Sequence, residues 1–275
     1  MPELPEVETV VRQLRKTVVG SKVVKIWHDV PKLLLPSPSF VEKHVQGKSI
    51  TDVQRRAKLV VFSLSDGCFM IVHLKLTGRL LVRKQEDESD DYVHVVLELD
   101  RGGEIRYADI RKFGWLKVVI GKTELQKIFD GYGPEIMSPD FSFEQFYEQT
   151  QKSSRPVKPL LMDQTFLAGI GNMYTDESLF RAGVYPKDKA SHLTGEQARR
   201  LFDSLQAVLQ EAISYGGSSI DAYVDTQGQK GRFTSHLRVY GRQGKPCVVC
   251  KTHIRKMTYR GRGTHYCPQC QKPSS

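Results

Sequence analysis

The first 120 residues alternate between short apolar segments and turn-forming residues, a pattern that indicates β-strands. Strands are predicted at five places: Val23–Trp27, Leu59–Leu64, Phe69–Leu74, Tyr92–Leu99 and Trp115–Ile120. Turn signals such as Ser65-Asp66-Gly67 separate them. The spacing predicts an antiparallel β-sandwich or barrel.

Two parts of the chain show helical periodicity instead. Near the N-terminus, apolar residues recur on one helix face at Val7, Val10, Val11 and Leu14. Pro5 falls in the first turn of this helix, where proline is tolerated. From about residue 140 the pattern is helical again, with capping boxes at Ser142–Gln145 and Thr194–Gln197 and a helix stop at Gly216-Gly217. A β domain is therefore followed by a helical one.

Charge is distributed unevenly over the 275 residues. The formal net charge is +10, yet residues 226–275 contain eleven Lys and Arg and no Asp or Glu, so the rest of the chain is nearly neutral. A basic, acid-free segment is typical of a surface that binds a phosphate backbone. The stretch Glu86–Asp91 is instead rich in acidic residues, and it is predicted to be an exposed hairpin loop that faces away from nucleic acid.

Four of the five cysteines lie in the basic segment as two pairs, Cys247 with Cys250 and Cys267 with Cys270, and sixteen residues separate the pairs. This spacing suits a closed, tetrahedral, structural zinc site. Two disulfides are the alternative. Zinc is favoured because the acidic N-terminal start does not resemble an export signal, and thiols stay reduced in a cytosol. Cys68 lies in an apolar run and is predicted to be an ordinary buried residue.

Basic residues crowd one stretch of the predicted finger: Arg255, Lys256, Arg260 and Arg262. Such a run could simply be a solvated face. However, Arg262 lies between two glycines in a turn near the metal, where a backbone can approach nucleic acid closely. Contact with phosphates is therefore favoured.

The N-terminus itself carries candidate chemistry. The small second residue favours removal of Met1, which would leave Pro2 as a free secondary amine. An α-amino group has a pKa of about 8, so a fair fraction is nucleophilic near neutral pH. Attack on a sugar C1′ would give an iminium that promotes elimination. The alternative is that these residues only start a helix, whose dipole stabilises the acidic side chains of Glu3 and Glu6.

Seven segments in order resemble bacterial formamidopyrimidine-DNA glycosylases, the 8-oxoguanine glycosylases of base-excision repair. They are residues 1–9, 55–58, 73–79, 109–114, 169–180, 239–242 and 261–267. The resemblance implies an α+β, multidomain fold. Residues 1–131 would form an N-terminal antiparallel β-sandwich with a leading helix, residues 132–225 a helix-two-turn-helix DNA-binding domain, and residues 226–275 a loop and a C-terminal four-cysteine zinc finger.

The resemblance also implies an activity, namely removal of oxidised purines from duplex DNA through a Schiff base on Pro2, followed by strand cleavage by β,δ-elimination. Glu3 would be the acid/base residue. Lys58 and Arg262 would belong to the catalytic centre. Together with Asn172 and Tyr240 they would clamp the flanking phosphates, although Asn172 and Tyr240 could also be ordinary loop hydrogen-bonding residues.

Further DNA contacts are implied at His73, Leu76, Arg111 and Phe113. The last three would fill the gap left by a flipped nucleotide, with Arg111 on the unpaired cytosine. Taken alone, Phe113 could be a core aromatic and Leu76 a buried strand residue. The family usually has methionine in place of Leu76; leucine is still an apolar wedge.

A lesion-recognition loop is implied at residues 218–229. Its candidate residues, with the supporting Glu6, are Ser218, Asp221, Ala222 and Tyr223. The family commonly has a basic and then a polar residue in place of Asp221 and Ala222. Asp221 is therefore expected to weaken selectivity for 8-oxoguanine over ring-opened purines.

The expected setting is a bacterial cytoplasm, in association with the nucleoid, as a monomer on damaged double-stranded DNA with one structural zinc. No run of eighteen apolar residues exists, so no membrane partner is expected.

One alternative function is that of an endonuclease VIII-like glycosylase for oxidised pyrimidines, although Leu4 and the Arg111–Phe113 wedge favour the purine enzyme. Another is that of a non-catalytic zinc-ribbon nucleic-acid-binding protein, which leaves Pro2 and Glu3 unexplained. A third is a ribosome-associated structural role, which predicts a preference for RNA over lesion-bearing duplex.

Overall fold

A computed structural model describes residues 1–273 of the chain. It divides into two compact units, each assembled from separate ranges. The first unit contains residues 1–130 and 213–234, and the second contains residues 131–212 and the chain from 235 onward. Residues 213–234 span the predicted boundary at 225, and the three-domain division of the sequence stays a prediction.

Seven α-helices lie within the described residues: α1 Leu4–Thr17, α2 Pro38–Val45, α3 Gly121–Phe129, α4 Phe143–Gln151, α5 Val157–Leu161, α6 Asn172–Ala182 and α7 Gly195–Ser214. The strands of the first unit are β1 Val23–His28, β2 Leu34–Leu35, β3 Ile50–Arg56, β4 Leu59–Leu64, β5 Cys68–His73, β6 Gly78–Lys84, β7 Val93–Leu99, β8 Gly103–Asp109 and β9 Trp115–Ile120. The second unit contains the hairpin β10 Arg255–Tyr259 and β11 Arg262–Tyr266.

The first unit is a sandwich of two sheets. One sheet has the order β1-β7-β8-β6 and the other β2-β9-β5-β4-β3. All pairings are antiparallel except the two-residue β2, which runs parallel to β9. Apolar side chains of both sheets, among them Phe62, Met70, Leu97 and Tyr107, form one buried cluster. The expected antiparallel sandwich is confirmed.

The N-terminal helix packs on this core through its predicted face. Val7, Val10 and Leu14 are almost fully buried and belong to the same cluster as the strands. Pro5 is in the first turn and its missing N–H costs no helical hydrogen bond. The core thereby holds the chain's first residues beside the β-sandwich.

The acidic stretch 86–91 is not the hairpin loop that the sequence predicts. It joins β6 to β7, and β8 lies between these two strands in the sheet. The five predicted strands omit β8, in which charged Glu104 and Arg106 alternate with apolar Ile105 and Tyr107. Arg106 on β8 is nevertheless buried, since it donates hydrogen bonds to Glu104 at 2.7 Å and to Asp90 at 3.1 Å.

In the second unit both predicted capping boxes are present. Ser142 and Gln145 exchange hydrogen bonds at the start of α4, and Thr194 and Gln197 do so before α7. α7 ends at Ser214, before the two glycines at 216 and 217. None of the helices described is long and apolar enough to cross a membrane.

Candidate active site and nucleic-acid interface

The start of α1 positions the two residues expected to carry the chemistry. Pro2 and Glu3 are buried and precede the first helical residue. Glu3 is the N-cap residue and forms a capping box with Glu6, whose Oε2 accepts a hydrogen bond from the Glu3 N–H at 2.8 Å. Because this box satisfies backbone donors that a helix start leaves open, the helix itself fixes the position of Glu3.

The second oxygen of Glu6 binds the predicted lesion loop. Glu6 Oε1 accepts a hydrogen bond from the Ser218 N–H at 2.8 Å. Gly217 makes this approach possible: its φ is +81°, and a Cβ built there would lie only 2.8 Å from Glu6 Oε1. One buried carboxylate therefore connects the N-terminus of α1 to residues 217–218.

The lesion loop is anchored by Tyr223 and leaves Asp221 at the surface. Tyr223 is buried in the sandwich core, and its hydroxyl donates to the Gly216 carbonyl at 3.1 Å. Burial and the nearby Glu6 charge raise the pKa of Tyr223, so the phenol stays protonated. Asp221 Oδ2 lies 3.4 Å from the Met1 amino group, and Ala222 is half-buried. The loop thus places Asp221 next to the N-terminus of the chain.

Lys58 lies in the tight turn between β3 and β4. Its side chain is buried, and the preceding Ala57 has a φ of 53°. Arg55 connects the turn to α1, donating to Glu8 at 2.8 Å and to the Ala57 carbonyl at 3.1 Å. Although burial opposes it, hydrogen bonds from Arg55 and Arg12 lower the pKa of Glu8. The turn that presents Lys58 is therefore held to the same helix that presents Glu3.

His73 is kept neutral by its surroundings. Burial first, and then the charges of Lys75 and Lys58, lower its pKa to about 3. Its Nδ1 accepts the Lys75 N–H at 3.0 Å, and its ring lies edge-on to Trp115 with centroids 5.7 Å apart. In this tautomer Nε2 carries the proton, so His73 can donate one hydrogen bond to a phosphate.

The loop that carries Arg111 and Phe113 is organised by Asp109, which is fully buried. Asp109 Oδ1 accepts the Arg111 N–H at 3.1 Å, and Oδ2 accepts the N–H groups of Phe113 and Gly114 at 3.0 and 2.9 Å. These bonds and those of Thr77 and Tyr107 outweigh burial and lower the pKa of Asp109. A single carboxylate therefore shapes the whole loop.

The loop that Asp109 organises carries two exposed side chains, Arg111 and Phe113. Phe113 is 53% exposed, and the Arg111 guanidinium lies 4.7 Å from the centre of its ring. Leu76, in the turn after β5, is half-buried. Phe113 is thus not a core aromatic, which removes that alternative, and Leu76 is not on a strand.

In the second unit, the N-terminus of α6 lies against the β10–β11 hairpin. Asn172 is the first residue of α6, and its Nδ2 donates to the Gly263 carbonyl at 3.1 Å. The Oδ1 atom of the same amide is buried and has no hydrogen-bond partner among the described residues. Gly263 follows Arg262, so Asn172 and Arg262 are neighbours in the fold.

Glu177 of α6 fixes the backbone that carries Tyr240. Its Oε1 accepts the N–H groups of Val239 and Tyr240 at 2.9 and 2.8 Å, and its Oε2 accepts that of Arg238 at 2.9 Å. Burial raises the pKa of Glu177 despite these bonds. The Tyr240 ring lies 4.8 Å from the ring of His265.

The adjacent Asp176 supports the residues beside Arg262. Its Oδ1 lies 2.6 Å from the Nζ of Lys158, and both side chains are buried. Lys158 Nζ also donates to the Gly263 carbonyl at 3.0 Å and to Thr264 at 2.8 Å. The exposed Arg262 is thus held on a rigid hairpin. The sequence offered no signal for Lys158 as a partner of Asp176, and none for Asp176 or Glu177 beyond their places in the matched segment 169–180.

The four predicted zinc ligands lie together in the second unit. The Sγ atoms of Cys247, Cys250, Cys267 and Cys270 are all within 4.8 Å of one another, and none of these cysteines is in a disulfide. Four sulfurs at ~2.3 Å from one tetrahedral zinc would be separated by about 3.8 Å, and two of the Sγ pairs are 3.4 and 3.9 Å apart. The donor set fits one structural zinc.

The chain matches known families over nearly its whole length. Residues 1–116 match the formamidopyrimidine-DNA glycosylase N-terminal domain, residues 132–224 its H2TH domain, and residues 244–273 a zinc finger found in FPG and IleRS. Curated formamidopyrimidine-DNA glycosylases are similar along the full chain. That of Heliobacterium modesticaldum is 42% identical and that of Listeria innocua 38%, with 99% of this chain and 100% of each relative covered.

Solved structures agree with these sequence matches. A Lactococcus lactis FPG mutant in complex with Fapy-dG-containing DNA is 36% identical, with a TM-score of 0.93 over 98% of this chain and 100% of that one. A MutM complex with carbocyclic 8-oxo-G DNA has a TM-score of 0.92 at the same identity and coverage. With all three domain types in order and full-length relatives well above 30% identity, the chain belongs to the formamidopyrimidine-DNA glycosylase family.

Proposed function

We propose that this chain is a bifunctional DNA glycosylase and AP lyase that removes oxidised purines, including 8-oxoguanine and formamidopyrimidines, from duplex DNA. The observation that carries the proposal is the Glu3–Glu6–Ser218 connection, which joins a candidate amine nucleophile to a candidate base-recognition loop within one compact unit. The full-length similarity to formamidopyrimidine-DNA glycosylases supports the same activity.

The proposed reaction starts at the Pro2 nitrogen and requires that Met1 be removed. The amine attacks C1′, and the electron pair of the C1′–N bond leaves with the base, which takes up a proton. Glu3 protonates O4′ as the sugar ring opens to an iminium. Loss of a proton from C2′ then expels the 3′-phosphate, and loss of a proton from C4′ expels the 5′-phosphate. Water hydrolyses the iminium and returns the amine.

Base recognition is assigned to Glu6 and the loop of residues 218–223. Since Glu6 holds Ser218 and the core holds Tyr223, the loop ends are fixed while Asp221 is exposed. A rigidly anchored loop presents backbone N–H groups to a flipped base at low entropic cost. The negative Asp221 would then set which purine lesions the loop prefers.

DNA contacts are assigned to both units separately. In the first unit, Lys58 and His73 would bind phosphate, and the exposed Phe113 and Arg111 would fill the gap beside Leu76 once the base is flipped. In the second unit, Asn172, Tyr240 and Arg262 would bind phosphates. The zinc is structural, since four thiolates leave no position for a reacting water. The setting would be a bacterial cytoplasm, at the nucleoid, with the chain acting as a monomer.

The test is borohydride trapping on an 8-oxoguanine:cytosine duplex and on an abasic duplex, with mass spectrometry of the cross-linked peptide. The expected result is an adduct on the Pro2 nitrogen of chains without Met1. Trapping on the abasic duplex alone would overturn the lesion assignment and leave the lyase. No adduct on either duplex, from zinc-loaded protein without Met1, would overturn the Pro2 mechanism.

A further inference from the structure

A cavity of about 250 Å³ lies in the second unit, between α5 and the tip of the β10–β11 hairpin. Four cationic side chains line it: Arg155, Lys158, Arg260 and Arg262. Of these only Arg262 has a place in the proposed reaction. The cavity is therefore a separate feature that adjoins one residue of the phosphate clamp.

The cations of this cavity differ in how far they are already paired. Lys158 is occupied by Asp176, and Arg155 donates to Asp163 at 2.7 Å. Arg260 and Arg262 are exposed, and neither forms an ion pair among residues 1–273. Asp163 is the one carboxylate that lines the cavity in the described part of the chain. Two unpaired guanidinium groups therefore face a cavity whose other charges are balanced, which favours an anionic ligand.

The remaining wall is apolar and partly aromatic. Tyr259, Pro159 and Met162 contribute to it. Tyr259 is paired directly with Arg262 across the hairpin, so the two side chains share one face. The Nζ of Lys187 lies 5.1 Å from the centre of the Tyr259 ring. An aromatic ring beside guanidinium groups is the combination that binds a base together with its phosphate.

We propose that this cavity binds one nucleotide unit, with the phosphate on Arg260 and Arg262 and the base against Tyr259. Its volume is below the ~300–1,000 Å³ of drug-sized pockets, which suits a ligand no larger than a mononucleotide. The nucleotide could belong to a DNA strand or be free in solution, since both present the same chemistry. The inference rests on the cavity alone and does not require the glycosylase reaction.

The test is calorimetric titration of the zinc-loaded full-length chain with deoxyadenosine monophosphate, and separately with deoxyadenosine and with inorganic phosphate. We expect the nucleotide to bind at least about tenfold more tightly than either part, because charge-assisted hydrogen bonds and stacking both contribute. Equal affinity for nucleotide and phosphate would overturn the role of the apolar wall. No heat from any of the three would overturn the site.

Matched variants locate the binding. Arg260→Gln and Tyr259→Ala should each weaken nucleotide affinity about tenfold, and Tyr259→Phe should retain it. Lys245→Gln removes one exposed charge from the zinc finger without touching the cavity, so it should leave the affinity unchanged. Equal losses in Lys245→Gln and Arg260→Gln would show general charge attraction and overturn the site. The zinc content of each variant shows that its finger is folded.

A competition experiment distinguishes the two sources. A short single-stranded oligonucleotide that displaces the bound mononucleotide at much lower concentration would identify a DNA strand as the ligand. Displacement only at equal nucleotide concentration would identify free nucleotide. Because undamaged ligands are used, failure here leaves the Pro2 chemistry intact, and failure of borohydride trapping leaves this site intact.

Discussion

The carboxylate of Glu6 accepts a hydrogen bond from the backbone N–H of Ser218 at 2.8 Å, across 212 residues of sequence. The same carboxylate accepts the N–H of Glu3 at 2.8 Å. Glu6 thus connects Glu3, which follows the candidate nucleophile Pro2, to the candidate recognition loop. Substitution of Glu6 therefore tests both ends of this connection.

Glu6→Gln should impair base excision more than abasic-site cleavage. Glutamine offers one acceptor oxygen, so its NH2 group must face either the Glu3 or the Ser218 N–H. Losing a charge-assisted hydrogen bond costs about 1.5–3 kcal/mol, which is roughly 10- to 100-fold in rate if it acts in the transition state. Single-turnover rates on 8-oxoguanine and abasic duplexes measure the difference. Equal losses on both substrates would contradict a role in recognition.

Asp221→Lys should raise the excision rate of 8-oxoguanine relative to a formamidopyrimidine in paired duplexes. Asp221 is exposed and its nearest cation is the amino group of Met1 at 3.4 Å, so substitution should not disturb the fold. Asp221→Asn is the matched control, since it removes the charge without reversing it, and it should give an intermediate ratio. Unchanged ratios in both variants would show that Asp221 has no part in selectivity.

Asp176→Asn should destabilise the second unit strongly. Lys158 would remain buried without a charged partner, which typically costs about 3–5 kcal/mol of unfolding free energy. Glu148→Gln breaks the exposed pair with Lys152 and should cost less than about 1 kcal/mol. Urea unfolding followed by circular dichroism compares the two. If both variants lose the same small free energy of unfolding, the Lys158–Asp176 pair does not stabilise the hairpin.

Zinc should bind at one equivalent per chain and be lost in Cys267→Ser. The four thiolates surround a small cluster with little apolar core, so removal of the metal should unfold the finger and abolish DNA binding. Cys68→Ala is the control, because Cys68 is buried in the β-sandwich and is not one of the four clustered cysteines. Elemental analysis measures the zinc content of both variants. A zinc-free Cys68→Ala protein would contradict the assignment of the four zinc ligands.

Acid should destabilise the first unit through His73. Its pKa is lowered from 6.5 to about 3, so below pH 6.5 the unfolded chain binds a proton that the folded chain does not. Stability is therefore full above pH 6.5 and is lost as the pH falls towards 3, by up to about 1.4 kcal/mol per pH unit. His73→Asn should reduce this slope in unfolding measurements between pH 7.5 and 5. An unchanged dependence of stability on pH would show that groups other than His73 cause the loss of stability in acid.

Much of the architecture was predictable because it depends on local pattern. Leu59–Leu64 and Trp115–Ile120 are strands with the predicted bounds, since their apolar runs lie between clear turn signals. The capping boxes and the cysteine spacing are equally local. The sequence did not predict that Arg106 of β8 is buried, because its partner Asp90 lies sixteen residues away and only the fold brings the two side chains together.

The sequence by itself determined which residues could carry the chemistry, namely the Pro2–Glu3 start, the four cysteines and the basic C-terminal segment. Only the tertiary structure decided what supports them. Asp109, Asp176 and Glu177 are buried carboxylates that organise the loops holding Arg111, Arg262 and Tyr240. A buried carboxylate is stable only if it is paired or hydrogen-bonded. Asp109 adds the distant Thr77 to its local partners, Asp176 accepts from His265 and Glu177 accepts from Val239, so the fold alone brings these groups together.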